Sequence, residues 1–179
     1  MTAFFTYIID ALLSLALFVV MARLLLQLTR ADFRNPLAQA IVQLTNPLIV
    51  PLRRVLPPIG KVDTASVLAV LVVAAVNVAL VAVLHGSSWP EPIVWADLVL
   101  LEIAHMLLSI YLYAIILYAL LSMIAPGGYS PLQSMLTSLC EPVLRPIRRI
   151  IPPLAGLDLS PLVATLIILA LLSVPLMVR

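Results

Sequence analysis

PLAQAIVQLTNPLIVPLRRVLPPIGKVD, residues 36–63, lies over PLQSMLTSLCEPVLRPIRRIIPPLAGLD, residues 131–158, without a gap. At the constant offset of 95, Pro36, Leu37, Leu44, Pro47, Pro51, Arg53, Arg54, Pro57, Pro58 and Asp63 each meet an identical residue. Ten identities in 28 positions, most of them proline or arginine, exceed what two unrelated apolar segments share. The chain is an internal duplication, and the repeat decides how everything around it is read. The register continues upstream, where Leu12-Leu13-Ser14 meets Leu107-Leu108-Ser109.

Outward from the two repeated segments lie four apolar runs: Ile8–Leu28, Ala65–Leu84, Leu98–Ile124 and Pro161–Val178. Their 18 to 27 residues reach roughly 27–40 Å as helices, against a hydrocarbon core of about 30 Å. Composition agrees. The 179 residues are 64% hydrophobic and 10% charged, with a mean hydropathy of +1.21. A water-soluble chain of this size has no way to hide that much apolar surface. The sequence predicts an all-α membrane protein of four transmembrane helices in two hairpins. Residues 1–84 form the first copy, 85–97 an outer loop and 98–179 the second copy. The N-terminal run has no basic residue before Arg23 and no small-x-small cleavage site, so it is read as a retained span.

Two spans per copy insert both copies in the same orientation, a parallel repeat about an axis along the membrane normal. Arg30, Arg34, Arg53, Arg54 and Lys61 lie between spans one and two, and Arg145, Arg148 and Arg149 between spans three and four. The loop from His85 to Asp97 carries no basic residue other than that histidine. The positive-inside rule then places both connectors in the cytoplasm and both termini outside, with Trp89 and Trp95 in the outer interfacial belt. Arg179 opposes this orientation.

Each connector opens on a helix-start signal, Asn35-Pro36 or Ser130-Pro131. Leu37, Ile41, Leu44 and Leu48 then recur at helical spacing opposite Gln39 and Gln43. In the second copy Leu132, Leu136 and Leu139 stand against Ser134 and Ser138. An amphipathic helix too short to span is expected to lie in the interface plane. Pro47 and Pro142 are expected to end it. A kinked segment through Pro51 and Pro146 follows, and Pro57-Pro58 and Pro152-Pro153 turn the chain back. The pairs Arg53-Arg54 and Arg148-Arg149 have two readings. They are topology signals that anchor the fold, or they bind anionic membrane lipid or a membrane protein partner.

The duplicated pattern N-P-x-x-x-P-x-R-R-x-x-P-P resembles the YggT (YlmG) family of bacterial and plastid membrane proteins. Here it runs Asn46-Pro47, Pro51, Arg53-Arg54, Pro57-Pro58, and again Glu141-Pro142, Pro146, Arg148-Arg149, Pro152-Pro153. Glu141 departs from the family asparagine. The resemblance implies a multi-pass protein of the bacterial inner membrane. It also implies a role linked to cell division and envelope organisation or to osmotic stress and, in plastids, to nucleoid distribution and cytochrome assembly.

Polar residues inside the spans are the remaining candidates. Arg23 is expected to snorkel to the cytoplasmic surface and Asn77 to hydrogen-bond a neighbouring helix. Glu102 and His105 share a helical face near the outer interface, where an Asp10–His105 contact across the repeat is expected. E-x-x-H is half of a di-iron motif, but the second half is missing, so no metal and no cofactor is expected. Two histidines, one cysteine (Cys140) and no HExxH, P-loop or Ser-His-Asp set leave an enzyme without parts. A net charge of +2 indicates no direct nucleic-acid partner. The reading is a non-enzymatic organising or assembly factor acting through its connectors. The alternative is a channel or transporter component working as a homo-oligomer; Ala65, Ala69, Ala75 and Ala79 offer small-x-x-x-small faces for packing helices within or between protomers.

Overall fold

The structure, a computed structural model, describes residues 2–57, 63–84, 91–124, 130–151 and 158–177. Pro58, Lys61, His85, Trp89, Pro152, Pro153 and Arg179 lie outside the described residues. Among the described residues there are six α-helices: α1 (Thr2–Leu28), α2 (Pro36–Val55), α3 (Thr64–Leu84), α4 (Pro92–Ile124), α5 (Pro131–Ile150) and α6 (Ser160–Met177).

Three of them, α1, α3 and α4, are long and apolar enough to cross a membrane. They are hydrophobic all round, and large apolar side chains such as Phe18 on α1, Val76 on α3 and Leu100 on α4 stand exposed. Lipid is the solvent that suits such faces. The fourth run is helical from Ser160 to Met177, but its described apolar part, Ser160–Val174, is shorter than the other three. Helix α4, with 33 residues, rises about 50 Å and exceeds the hydrocarbon thickness.

The chain divides into two compact units. The first comprises Met1–Leu24 and Ile41–Met106. In it Leu17 of α1, Ile49 of α2 and Ala65, Ala69 and Ala74 of α3 are fully buried. Of the four alanines on small-x-x-x-small faces, Ala65 and Ala69 are buried within this unit, while Ala75 and Ala79 are half-buried. The second unit comprises Leu25–Ala40 and Leu107–Arg179. There α5 packs against α6, burying Leu136, Leu139, Cys140 and Leu144, the i, i+3, i+4, i+8 stripe of an amphipathic helix.

Both helix-start signals operate as the sequence predicts. The Asn35 side chain accepts from the Leu37 N–H at 2.9 Å, and the Ser130 hydroxyl accepts from the Gln133 N–H at 3.0 Å. Within the second unit Asn35 Nδ2 also donates to the Pro131 carbonyl. Arg30, with φ of 54°, closes α1: its N–H reaches the Gln27 carbonyl and the Ala31 N–H reaches Leu26.

The expected helix ends at Pro47 and Pro142 are corrected. Helix α2 continues through Pro47 and Pro51, and α5 through Pro142 and Pro146, each to the arginine pair in its last turn. The proline rule is local, and two features override it. The i, i+4 spacing confines the missing N–H groups to one side of each helix, and all four prolines are exposed. The carbonyls they strip of a partner are therefore open to water or headgroups.

Candidate functional site

Each connector helix ends at a junction where its arginine pair meets the chain entering the next helix. In the first copy, Arg53 donates through Nε (3.0 Å) and Nη2 to Oδ2 of Asp63, the residue before α3. The Ser66 hydroxyl donates to the same oxygen at 2.7 Å. The Thr64 hydroxyl donates to the Pro57 carbonyl at 2.8 Å and ties the return of the chain. Asp63 is 1% exposed, and its Oδ1 has no hydrogen-bond partner among the described residues. Burial alone would push its carboxyl up. The Arg53 and Ser66 hydrogen bonds and the charges of Arg53 and Arg23 outweigh it and hold the group below its ordinary range.

Arg23 corrects the snorkelling expectation. Its side chain is 4% exposed and points at α2, where Nη1 donates to Thr45 Oγ1 (2.7 Å), Asn46 Oδ1 (3.0 Å) and the Val42 carbonyl (3.3 Å). The Thr45 hydroxyl in turn donates to the Ile41 carbonyl at 2.7 Å. An arginine near a span end can reach water by itself, but here a second helix brings three neutral oxygens closer. Sequence spacing does not reveal that approach.

In the second copy Arg148 stands where Arg53 does, with a fuller set of partners. Nε donates to Asp158 Oδ2 at 2.8 Å, Nη1 to Glu141 Oε2 at 3.0 Å and Nη2 to the Tyr118 hydroxyl at 3.1 Å. Asp158 Oδ1 accepts from the Ser160 N–H at 2.9 Å and caps α6. Burial would raise Asp158, but the Ser160 N–H and the Arg148 guanidinium hold it below its ordinary range. For Arg148, burial would lower the group, and the bonds to Asp158 and Tyr118 hold it above its usual value. Cys140, on the buried face of α5, is pushed up to about 12 by desolvation against the opposing charge of Arg148. Such a thiol is unreactive at neutral pH.

The second arginine of each pair is free. Arg54 and Arg149 are exposed and form no hydrogen bond or ion pair with a described residue, and each precedes an exposed apolar residue, Val55 or Ile150. The signal for Asp63 and Asp158 was present, since Asp63 is one of the ten residues that recur in register. Thr45, Ser66 and Tyr118 carried no such signal.

Within the spans, Asn77 and Glu102 meet each other, Asn77 Nδ2 donating to Glu102 Oε1 at 3.0 Å. The Asp10–His105 contact does not form. His105 is exposed, and Asp10 Oδ1 is buried with no hydrogen-bond partner among the described residues. Glu102 therefore pairs across to α3 rather than along its own helix with His105.

Three helices long and apolar enough to cross a membrane, with 20-residue amphipathic helices among the others, point to a membrane protein. The CCB3/YggT family model matches residues 2–84 and again 98–178, so nearly the whole chain is covered by two successive matches. The chain belongs to that family. It is 40% identical over 164 residues to the uncharacterised protein PA0392 of Pseudomonas aeruginosa, covering 89% of this chain and 82% of the relative. An uncharacterised Vibrio alginolyticus protein from the proC 3′ region is 38% identical over 159 residues, covering 88% and 85%. The uncharacterised YggT of Escherichia coli K12 is 32% identical over 163 residues, covering 91% and 84%. No solved structure matches.

Proposed function

We propose that the chain is a non-enzymatic organising or assembly factor of the bacterial inner membrane that works through its two connectors. In this reading it crosses the membrane four times as two parallel hairpins, with both termini outside and both connectors in the cytoplasm. Helices α2 and α5 lie along the inner surface and present arginine to anionic lipid or to a membrane protein partner. The observation that carries the reading is the division of labour within each pair. Arg53 and Arg148 are committed to an aspartate ten residues on, whereas Arg54 and Arg149 are exposed beside Val55 and Ile150. A cation next to an exposed apolar side chain suits a membrane interface.

The test is replacement of Arg54 and Arg149 by lysine in a deletion strain, scored by growth under osmotic challenge and by crosslinking to neighbouring membrane proteins. Loss of both is expected, because a planar guanidinium fork is not replaced by an ammonium. Full activity of the lysine protein would reduce these residues to topology signals. A second reading, a channel component acting as an oligomer, is favoured by the Asn77–Glu102 pair inside otherwise apolar helices. Ion flux in liposomes that Glu102→Gln abolishes would put that reading ahead.

A further inference from the structure

The two arginine–aspartate pairs are flanked by third groups of opposite charge. The Asp63 carboxylate is bonded by one guanidinium, Arg53, and feels the charge of a second, Arg23. Around Arg148 two carboxylates, Glu141 and Asp158, face one guanidinium. The difference arises at matched positions of the repeat, with Arg23 replaced by Tyr118 and Asn46 by Glu141.

Hydrogen bonding sharpens the contrast. All three nitrogens of Arg148 have acceptors. Arg53 gives Nε and Nη2 to a single oxygen, and its Nη1 has no partner among the described residues. The Arg53 side chain is 45% exposed, against 30% for Arg148. Arg54 stands next to it, also exposed, with exposed Val50 and Val55 on the same helix end. The second copy has Arg145 where the first has Val50. That cation is exposed, and the Glu141 carboxylate one turn before it pairs with Arg148.

We propose that the first junction, and not the second, is a headgroup site for an anionic phospholipid, its phosphate held by Nη1 of Arg53 together with Arg54. The proposal rests on the connector reading above and adds to it the ligand and the copy that binds it. A lipid rather than a soluble phosphate fits because Val50 and Val55 flank the cations with exposed apolar surface that acyl chains cover. Arg23, buried against Thr45 and Asn46 of α2, offsets the Asp63 carboxylate, so the charge of Arg53 remains available to the phosphate. In the second junction a phosphate would meet Glu141 and Asp158 and find Arg148 already engaged.

The experiment uses the full chain in phosphatidylcholine nanodiscs and compares retention of spin-labelled phosphatidylglycerol with that of spin-labelled phosphatidylcholine. The wild type is expected to prefer phosphatidylglycerol. Arg53→Lys with Arg54→Lys should lower that preference roughly tenfold, the size of one lost charge-assisted contact. Arg148→Lys with Arg149→Lys should leave the lipid preference unchanged, because in this proposal the second connector serves a protein partner rather than the lipid. Two further variants do not depend on the Arg53–Asp63 pair for folding. Asn46→Glu, which copies the residue native at 141, should remove the preference, and Glu141→Asn should add retention at the second junction. Inorganic phosphate should not displace the lipid, and displacement would overturn the lipid assignment. Equal losses from both lysine pairs, or full preference in the Asn46→Glu protein, would overturn the copy-specific site while leaving the connector reading intact. A wild type that does not prefer phosphatidylglycerol would overturn the site outright, and the connector reading would then stand or fall on complementation alone.

Discussion

The two junctions are built on one plan and balanced in opposite ways. Both use an arginine at the end of the connector helix and an aspartate ten residues later. Among the matched positions at which they differ are Arg23, Thr45 and Asn46 in the first, against Tyr118, Cys140 and Glu141 in the second. The first takes an extra cation from a membrane helix and surrounds it with neutral oxygens. The second takes an extra anion from the connector itself and binds it with the junction arginine. Each set is consistent only as a set. Arginine in place of Tyr118 would face Arg148, and Cys140 could not solvate Arg23 as the Thr45 hydroxyl does. A duplicated scaffold has kept its ion pair while redistributing the charge around it.

The largest expected effect that sharpens the contrast is removal of the two aspartates. Asp63→Ala leaves Arg53 and the buried Arg23 without their shared counter-ion, and it should cost about 3 kcal/mol, the low end for breaking a buried pair because Arg53 is half-exposed. Asp158→Ala should cost about 1 kcal/mol or less, because that carboxylate is 38% exposed and Glu141 remains as a partner. Denaturation in detergent would rank the two. Equal costs would break the comparison.

Acid should act on both junctions, and more on the first. Asp63 is held below its ordinary range in the fold. It therefore stabilises the protein above about pH 4, where the unfolded chain is already ionised, and that contribution is lost as the pH falls through the folded value. The melting temperature of the wild type should drop below pH 4, with a shallower drop in Asp63→Asn than in Asp158→Asn. The reverse order would assign the acid-sensitive ion pair to the second copy.

The smallest effect belongs to Tyr118→Phe. It deletes one of the three partners of Arg148 and leaves both carboxylates, so it should cost about 0.5–1 kcal/mol and shift the melting temperature only slightly.

The repeat, the long apolar helices and the caps at Asn35 and Ser130 were legible in the sequence because periodicity and local hydrogen bonding write them there. The course of the chain through Pro47 and Pro142 was not. A rule about one residue cannot weigh two prolines stacked on an exposed face. The destination of Arg23 was hidden for another reason, since it depends on which helix lies alongside α1. Asp63 and Asp158 fall between these cases. Their recurrence in register marked them as repeated, and only the geometry shows that they hold the arginines.

In the proposed topology the two copies face the same way, with both connectors on the cytoplasmic side. Val55 and Ile150 are matched positions of the repeat, 78% and 80% exposed, and lie outside the arginine pairs. In a Cys140→Ala background, Val55→Cys and Ile150→Cys would each be exposed to a membrane-impermeant maleimide in intact spheroplasts and in inverted inner-membrane vesicles. Both should label in inverted vesicles and neither in spheroplasts. Labelling of the two cysteines from opposite sides would contradict that topology.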